Sequence, residues 1–121
     1  MGLRLHSAVK YDVKYEGGFF NWSTEYINPI IVCLAENDFW CDDEDCVEYA
    51  HIIEADRDNL LKNIDKIINP DDLWEYQDEL NELLDYMEKE SENDREYLYK
   101  NLKEMIVNSA SNVSCVHFSW Y

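Results

Sequence analysis

The chain has 121 residues, of which 27 are Asp or Glu and only 10 are Lys or Arg, so its formal net charge is −17. Because 46% of the residues are hydrophobic and 14% aromatic, the composition excludes a disordered acidic tail and indicates one folded domain over residues 1–121. The negative charge argues against direct binding to nucleic acid or to a membrane surface, and it favours a basic protein as partner.

The first predicted element is a strand. Residues Leu5–Tyr15 alternate between polar and apolar positions with β-branched and aromatic side chains, which is typical of a half-buried strand. Gly17–Gly18 is expected to end it. Asn28 followed by Pro29 is typical of an N-cap and a first helical residue, which predicts a helix to about Glu36.

The middle of the chain predicts a strand and two helices. Residues Cys46–Ala55 form the expected second strand, and Asp56 is expected to cap the helix that follows. The apolar stripe of this helix comprises Leu60, Leu61, Ile64, Ile67 and Ile68. Asn69–Pro70 repeats the start signal and predicts a helix to about Glu90. Its apolar stripe comprises Leu73, Tyr76, Leu80, Leu83, Leu84 and Met87.

The last third predicts a helix, a turn and a strand. Ser91 and Asp94 resemble a capping box before a helix with buried Leu98, Leu102, Met105 and Ile106. A turn over Ser109–Asn112 leads to a strand over Val113–Tyr121. The sum is an α+β fold, a small antiparallel sheet of about three strands with three to four helices packed on one face. An uncovered edge of the terminal strand could pair with a second copy, so both a monomer and a homodimer stay open.

The predicted helix after Pro70 carries the main candidate partner-binding surface. A helical wheel places five carboxylates opposite the apolar stripe: Asp71, Glu75, Asp78, Glu82 and Asp85. They would span about 21 Å at 1.5 Å per residue, which gives about one carboxylate every 4 Å. This linear charge density is similar to that of phosphates along one DNA strand. Lys89 is the one cation in line with them, and Trp74 flanks the face as a candidate aromatic anchor. The alternative is an ordinary solvated helix face.

A second acidic cluster follows Trp40 and Cys41. It consists of Asp42, Asp43, Glu44 and Asp45. The cluster lacks the alternating ligands and central glycine of a calcium loop, so we expect an exposed loop that extends the acidic surface.

The cysteines and histidines offer a weaker alternative. Zinc could use Cys41, Cys46 and His51, or Cys115 and His117, but no CxxC pair occurs. Without the apolar run of a signal peptide we expect reduced cysteines and a cytoplasmic location. The sequence contains no phosphate loop, nucleophile elbow or metalloprotease motif, so we expect neither an enzyme nor a cofactor.

In size, charge and lack of catalytic motifs the chain resembles small acidic inhibitors, namely DNA mimics and phage proteins of the anti-CRISPR or anti-restriction type. This resemblance in composition implies a protein that blocks a basic nucleic-acid-binding protein or nuclease. An immunity protein or antitoxin that neutralises a basic toxin would need the same acidic surface and stays open. A metal-binding or enzymatic domain is the remaining alternative.

Overall fold

The computed structural model describes residues 4–10, 14–19, 24–90, 94–109 and 114–120. The strands are β1 (Leu5–Lys10), β2 (Lys14–Phe19), β3 (Phe39–Cys41), β4 (Ile52–Asp56) and β5 (Cys115–Trp120). The α-helices are α1 (Thr24–Leu34), α2 (Arg57–Asn63), α3 (Gln77–Glu90) and α4 (Arg95–Val107). Short 3₁₀ helices cover Val47–Tyr49 and Ile64–Ile67. The predicted α+β class is confirmed, and the sheet has five strands instead of about three.

The sheet is antiparallel, with the strand order β2-β1-β5-β4-β3. The terminal strand β5 therefore lies in the centre of the sheet, paired on both sides. The expectation that β5 could offer an uncovered edge to a second copy is wrong, because β1 and β4 already use both of its edges. Within the described residues, β2 and β3 are the edge strands.

The N-terminal segment forms a hairpin and not one long strand. Strands β1 and β2 pair with each other, so that Lys10 lies opposite Lys14 and His6 opposite Gly17. Gly17–Gly18 lies inside β2 and does not end a strand. The prediction failed because period-two alternation looks the same in one long strand and in two short antiparallel ones.

The helices pack on one face of the sheet. Strands β4 and β5 point fully buried side chains toward the helices, and these are Ile53, Ala55, Val116 and Phe118. They share one core with helix residues that include Ile27, Ile31, Leu60, Leu98 and Leu102. The alternate residues of β4 point to the opposite face and are only half-buried. This alternation is the pattern expected of a sheet that is covered by helices on one side.

A buried asparagine joins α1 to the rest of the fold. Asn28, expected as an N-cap, lies inside α1 and is completely buried. Its Nδ2 donates hydrogen bonds to the carbonyl oxygens of Val47 and Ala50, each at 2.9 Å, and its Oδ1 accepts one from Trp120 Nε1 at 2.8 Å. Helix α1 accommodates Pro29 in its interior, where the missing N–H leaves the Glu25 carbonyl without its usual donor.

The starts of α2 and α4 depend on aspartates. Asp56 caps α2 as predicted, with its carboxylate accepting the Asn59 N–H at 2.9 Å. Helix α4 is capped by Asp94, which accepts the Tyr97 N–H at 2.8 Å. Because α4 begins at Arg95, its N-cap is Asp94 and not Ser91, which the sequence suggested; Ser91 itself lies outside the described residues.

Two other predicted boundaries changed. The strand expected over Cys46–Ala55 is a 3₁₀ helix followed by β4, because the Asn28 amide takes up carbonyls that a strand would have paired. At the C-terminus β5 is found where a strand was predicted. Of the expected turn, Ser109 is described and 110–112 lie outside the described residues.

Candidate functional site

Helix α3 presents three carboxylates on the side opposite its buried residues. The buried side chains of α3 are Gln77, Leu80, Leu84 and Met87. Asp78, Glu82 and Asp85 are exposed and lie about 120° to 180° from the centre of that buried stripe at 100° per residue. They span about 10 Å of the helix axis. The outer row of α3, as we call these three residues, is thus held on a rigid element and faces solvent.

The acidic row is shorter than predicted because α3 begins at Gln77 and not at Pro70. Asp71 and Glu75 are exposed but lie in the turn before the helix. The Asp71 carboxylate accepts the Leu73 N–H at 3.0 Å, and the Asp71 N–H donates to Gln77 Oε1 at 2.9 Å. This local turn satisfies backbone groups that a longer helix would have used, and it divides the predicted row of five into three and two.

Leu73 is a second correction in the same turn. The sequence placed it on the apolar stripe of the helix, yet it is 97% exposed. Its neighbours Asp71 and Asp72 are also exposed. A leucine exposed next to carboxylates adds an apolar contact point beside the acidic surface. The exposure of Leu73 could have been predicted if Asn69–Pro70–Asp71 had been interpreted as a turn signal and not as a helix start.

Arg95 neutralises one end of α3. Its guanidinium contacts the Asp85 carboxylate at 2.6 Å and the Glu88 carboxylate at 2.7 Å. Lys89 is the one cation in line with the row on α3 itself, as expected, but α4 brings a second cation, Arg95, back to α3. Within the described part of the chain, Asp78 and Glu82 form no ion pair.

Two lysines bind carboxylates elsewhere in the fold. Lys62 contacts Glu36 at 2.8 Å, and this contact, with a hydrogen bond from Asn63, lowers the pKa of Glu36. Tyr99 donates to Asp65 at 2.7 Å and Lys103 lies 3.3 Å from the same carboxylate; both lower the pKa of Asp65, the tyrosine contact more. These cations are engaged away from the outer row of α3.

Trp74, a predicted partner-binding residue, is half-buried in the turn before α3. Its ring packs against Tyr76 at a centroid distance of 5.5 Å and lies under Lys66 Nζ at 5.1 Å. Its Nε1 is buried and makes no hydrogen bond of good geometry, although the indole also contributes to the lowered pKa of Glu36. The structure thus gives Trp74 contacts inside the fold, beside the acidic surface.

The acidic loop after β3 contains two kinds of carboxylate. Asp42 accepts the backbone N–H groups of His51 at 2.9 Å and Ile52 at 3.2 Å. Asp43 accepts the Cys46 N–H at 3.2 Å. Glu44 and Asp45 are exposed and make no such bonds within the described residues. The first pair therefore shapes the loop, and the second pair extends the acidic surface.

The cysteine and histidine candidates do not converge. Within the ranges that the structure describes, no group of three or more His, Cys, Asp or Glu side chains could hold a metal ion. His117 instead contacts Glu54 through Nδ1 at 3.4 Å and Ser119 through Nε2 at 2.9 Å. The order Glu54–His117–Ser119 resembles a catalytic arrangement in which a histidine base, held by a carboxylate, activates a serine nucleophile. Ser119, however, is only 9% exposed, so a substrate has little access to its hydroxyl. We assign this set to holding β4 against β5.

Comparison of the chain with known protein families, with curated protein sequences and with solved structures found no significant match. Among the described residues, no helix has both the length and the apolar character that a membrane crossing requires.

Proposed function

We propose that the protein binds a basic, nucleic-acid-binding surface of another protein and blocks it by presenting carboxylates in place of phosphates. The exposed carboxylates of Asp78 and Glu82 on α3, which form no ion pair within the described residues, carry this proposal. They lie about 6 Å apart along the helix axis, and with Asp85 they form a short row with a spacing of about 5 Å, against about 3.4 Å between phosphates along one DNA strand. The target is a nuclease or another protein with a phosphate-binding groove.

The charge balance of the whole chain supports a basic partner. A net charge of −17 costs stability through self-repulsion. The described ion pairs of the lysines and arginines involve Glu36, Asp65, Asp85 and Glu88, and not the centre of the outer row. A basic partner would relieve this repulsion and would be attracted at long range, which gives fast and salt-dependent association.

The test is a capture experiment with three baits at low salt and elution at high salt. The baits are the wild-type protein, Asp78→Lys/Glu82→Lys, and the control Asp38→Lys/Glu104→Lys. The control reverses two exposed carboxylates on other elements and changes the net charge by the same amount. Mass spectrometry of a host-cell lysate eluate identifies any captured protein, and duplex DNA is then added as a competitor.

We expect the wild type and the control to retain one basic nucleic-acid-binding protein and the α3 variant to lose it. Duplex DNA should compete with the bait for this protein. Capture of a host nuclease would indicate an inhibitor, and capture of a toxin would indicate an immunity protein. Equal capture by all three baits, or no competition by DNA, would contradict phosphate mimicry by α3.

A further inference from the structure

A pocket of about 250 Å³ lies at the free edge of β3, outside α3. Its lining residues are Phe39, Trp40, Cys41, Glu44 and Val47. We call it the β3 pocket. It is smaller than the roughly 300–1,000 Å³ of sites for drug-sized ligands, and its volume suits a single side chain. Trp40 is 50% exposed, so one wall is an accessible aromatic ring, and the carboxylate of Glu44 is the charged group of the lining.

The loop that forms the outer wall is fixed before any ligand arrives. Cys41 Sγ donates to the Asp43 carbonyl at 3.1 Å, and the Asp42 carboxylate holds the N–H groups that begin β4. The 3₁₀ helix that supplies Val47 is held from inside by the buried Asn28 amide. A ligand therefore does not have to order this loop, which reduces the cost of binding.

The chain segment that contains the lining residues of the β3 pocket, residues 39–56, has a net negative charge. The sequence has no Lys or Arg between Phe39 and Asp56. The carboxylates in that stretch are Asp42, Asp43, Glu44, Asp45, Glu48, Glu54 and Asp56. Within the described residues Glu44 has no hydrogen bond or ion pair, so its carboxylate is free to accept a donor from outside.

These features favour a cation on an apolar stem. We propose that the β3 pocket binds an arginine side chain of the basic partner, with its methylenes against Phe39 and Val47, its guanidinium against the Trp40 ring and its N–H groups on Glu44. A planar guanidinium stacks on an indole and matches a carboxylate better than an ammonium does. The proposal rests on the proposed function for the nature of the partner, and it adds a second contact with a defined ligand.

The test uses small probes and does not need the partner. N-acetyl-arginine methylamide is titrated into ¹⁵N-labelled protein, and the indole Nε1–H resonance of Trp40 is followed. The neutral isostere N-acetyl-citrulline methylamide and the lysine analogue are titrated in parallel. Glu44→Gln and Trp40→Ala are the test variants, and Glu104→Gln, which neutralises one exposed carboxylate on α4, is the charge-matched control. Glu44 is exposed, so its replacement leaves the fold intact even if loss of Trp40 disturbs the edge strand.

We expect saturable shifts of the Trp40 resonance with the arginine probe and none with citrulline. Glu44→Gln should weaken the affinity about two- to five-fold and Trp40→Ala about five-fold, with no change in the Glu104→Gln control. Equal binding of citrulline or lysine, or an unaffected Trp40 resonance, would overturn the assignment. If the arginine probe does not bind but the wild-type bait captures a basic protein, the pocket assignment alone is rejected. If the arginine probe binds but the wild-type bait captures no such protein, the proposed function alone is rejected.

Discussion

The acidic loop after β3 and the outer row of α3 both present carboxylates at the surface, but they use them in different ways. In the loop, Asp42 and Asp43 accept three backbone N–H groups at 2.9 to 3.2 Å. On α3, Asp78 and Glu82 face solvent and accept no hydrogen bond within the described residues.

The difference follows from what the backbone leaves unpaired in each region. A loop exposes N–H groups that neither a helix nor a sheet satisfies, and a short carboxylate nearby can accept them. In the body of a helix each N–H already donates to the carbonyl four residues earlier, so an outward carboxylate such as that of Glu82 finds no backbone N–H to accept. Glu82, and Asp78 in the first turn, therefore form no hydrogen bond or ion pair within the described residues and are available to a partner, whereas Asp42 and Asp43 belong to the fold.

The largest expected effect on stability concerns Asn28, the buried residue of α1 that holds the 3₁₀ helix after the acidic loop. Asn28→Ala removes three hydrogen bonds and takes the Asn28 partner away from Trp120 Nε1 and the buried Ala50 carbonyl, whereas the Val47 carbonyl keeps the Ala50 N–H at 3.1 Å. Because each unsatisfied buried group costs about 1–3 kcal/mol, the free energy of unfolding should fall by about 2–4 kcal/mol in urea titrations. The control Asn69→Ala removes an exposed asparagine and should stay within about 0.5 kcal/mol. Equal stability of the two variants would show that the loop does not depend on Asn28.

A comparison of Asp42 with Asp78 tests whether loop carboxylates stabilise the fold and α3 carboxylates do not. Asp42→Ala removes the acceptor of two N–H groups at the start of β4 and should lower the free energy of unfolding by about 1–2 kcal/mol. Asp78→Ala removes a carboxylate of the same size that contacts nothing described, and its effect should be within about 0.5 kcal/mol. Chemical denaturation at pH 7 measures both. A larger loss in Asp78→Ala than in Asp42→Ala would reverse our interpretation of the two regions.

The sequence predicted those parts of the fold that depend on local periodicity. The buried residues Leu98, Leu102 and Met105 of α4, the Asp56 cap and the terminal strand all follow from patterns within a few residues. Asn28 could not be predicted in this way. Its partners lie 19, 22 and 92 residues away along the chain, and its local context with Pro29 also matches a helix start.

The candidate site was predicted in composition but not in geometry. Asp78, Glu82 and Asp85 are exposed on one helix as expected, whereas Asp71 and Glu75 belong to a turn. The sequence prediction applied the helical period from Pro70 onward, because Asn69–Pro70 matches both a helix start and a turn. The prediction therefore placed Leu73 on the buried face of a helix, whereas Leu73 lies in a turn. The contact of Arg95 with Asp85 depends on how α4 returns to α3, which a single helix pattern does not contain.

The smallest expected effect concerns a carboxylate that the fold itself pairs with a cation. The contact with Lys62 holds the pKa of Glu36 below its ordinary value of 4.5. Folding therefore favours the ionised form. The resulting stabilisation is complete above the pKa of the unfolded chain and is lost as the pH falls through the lower pKa of the folded protein.

Lys62→Ala should consequently reduce the free energy of unfolding by no more than about 1 kcal/mol at pH 7, and the difference from wild type should shrink as the pH falls below 4.5 through the lowered pKa of Glu36. Urea titrations of both proteins from pH 7 to pH 3 measure this difference. Glu36→Gln should show the same pH dependence, since it removes the other member of the pair. A difference that does not shrink between pH 7 and pH 3 would mean that Lys62 stabilises the protein through its packing on α2 and not through its contact with Glu36.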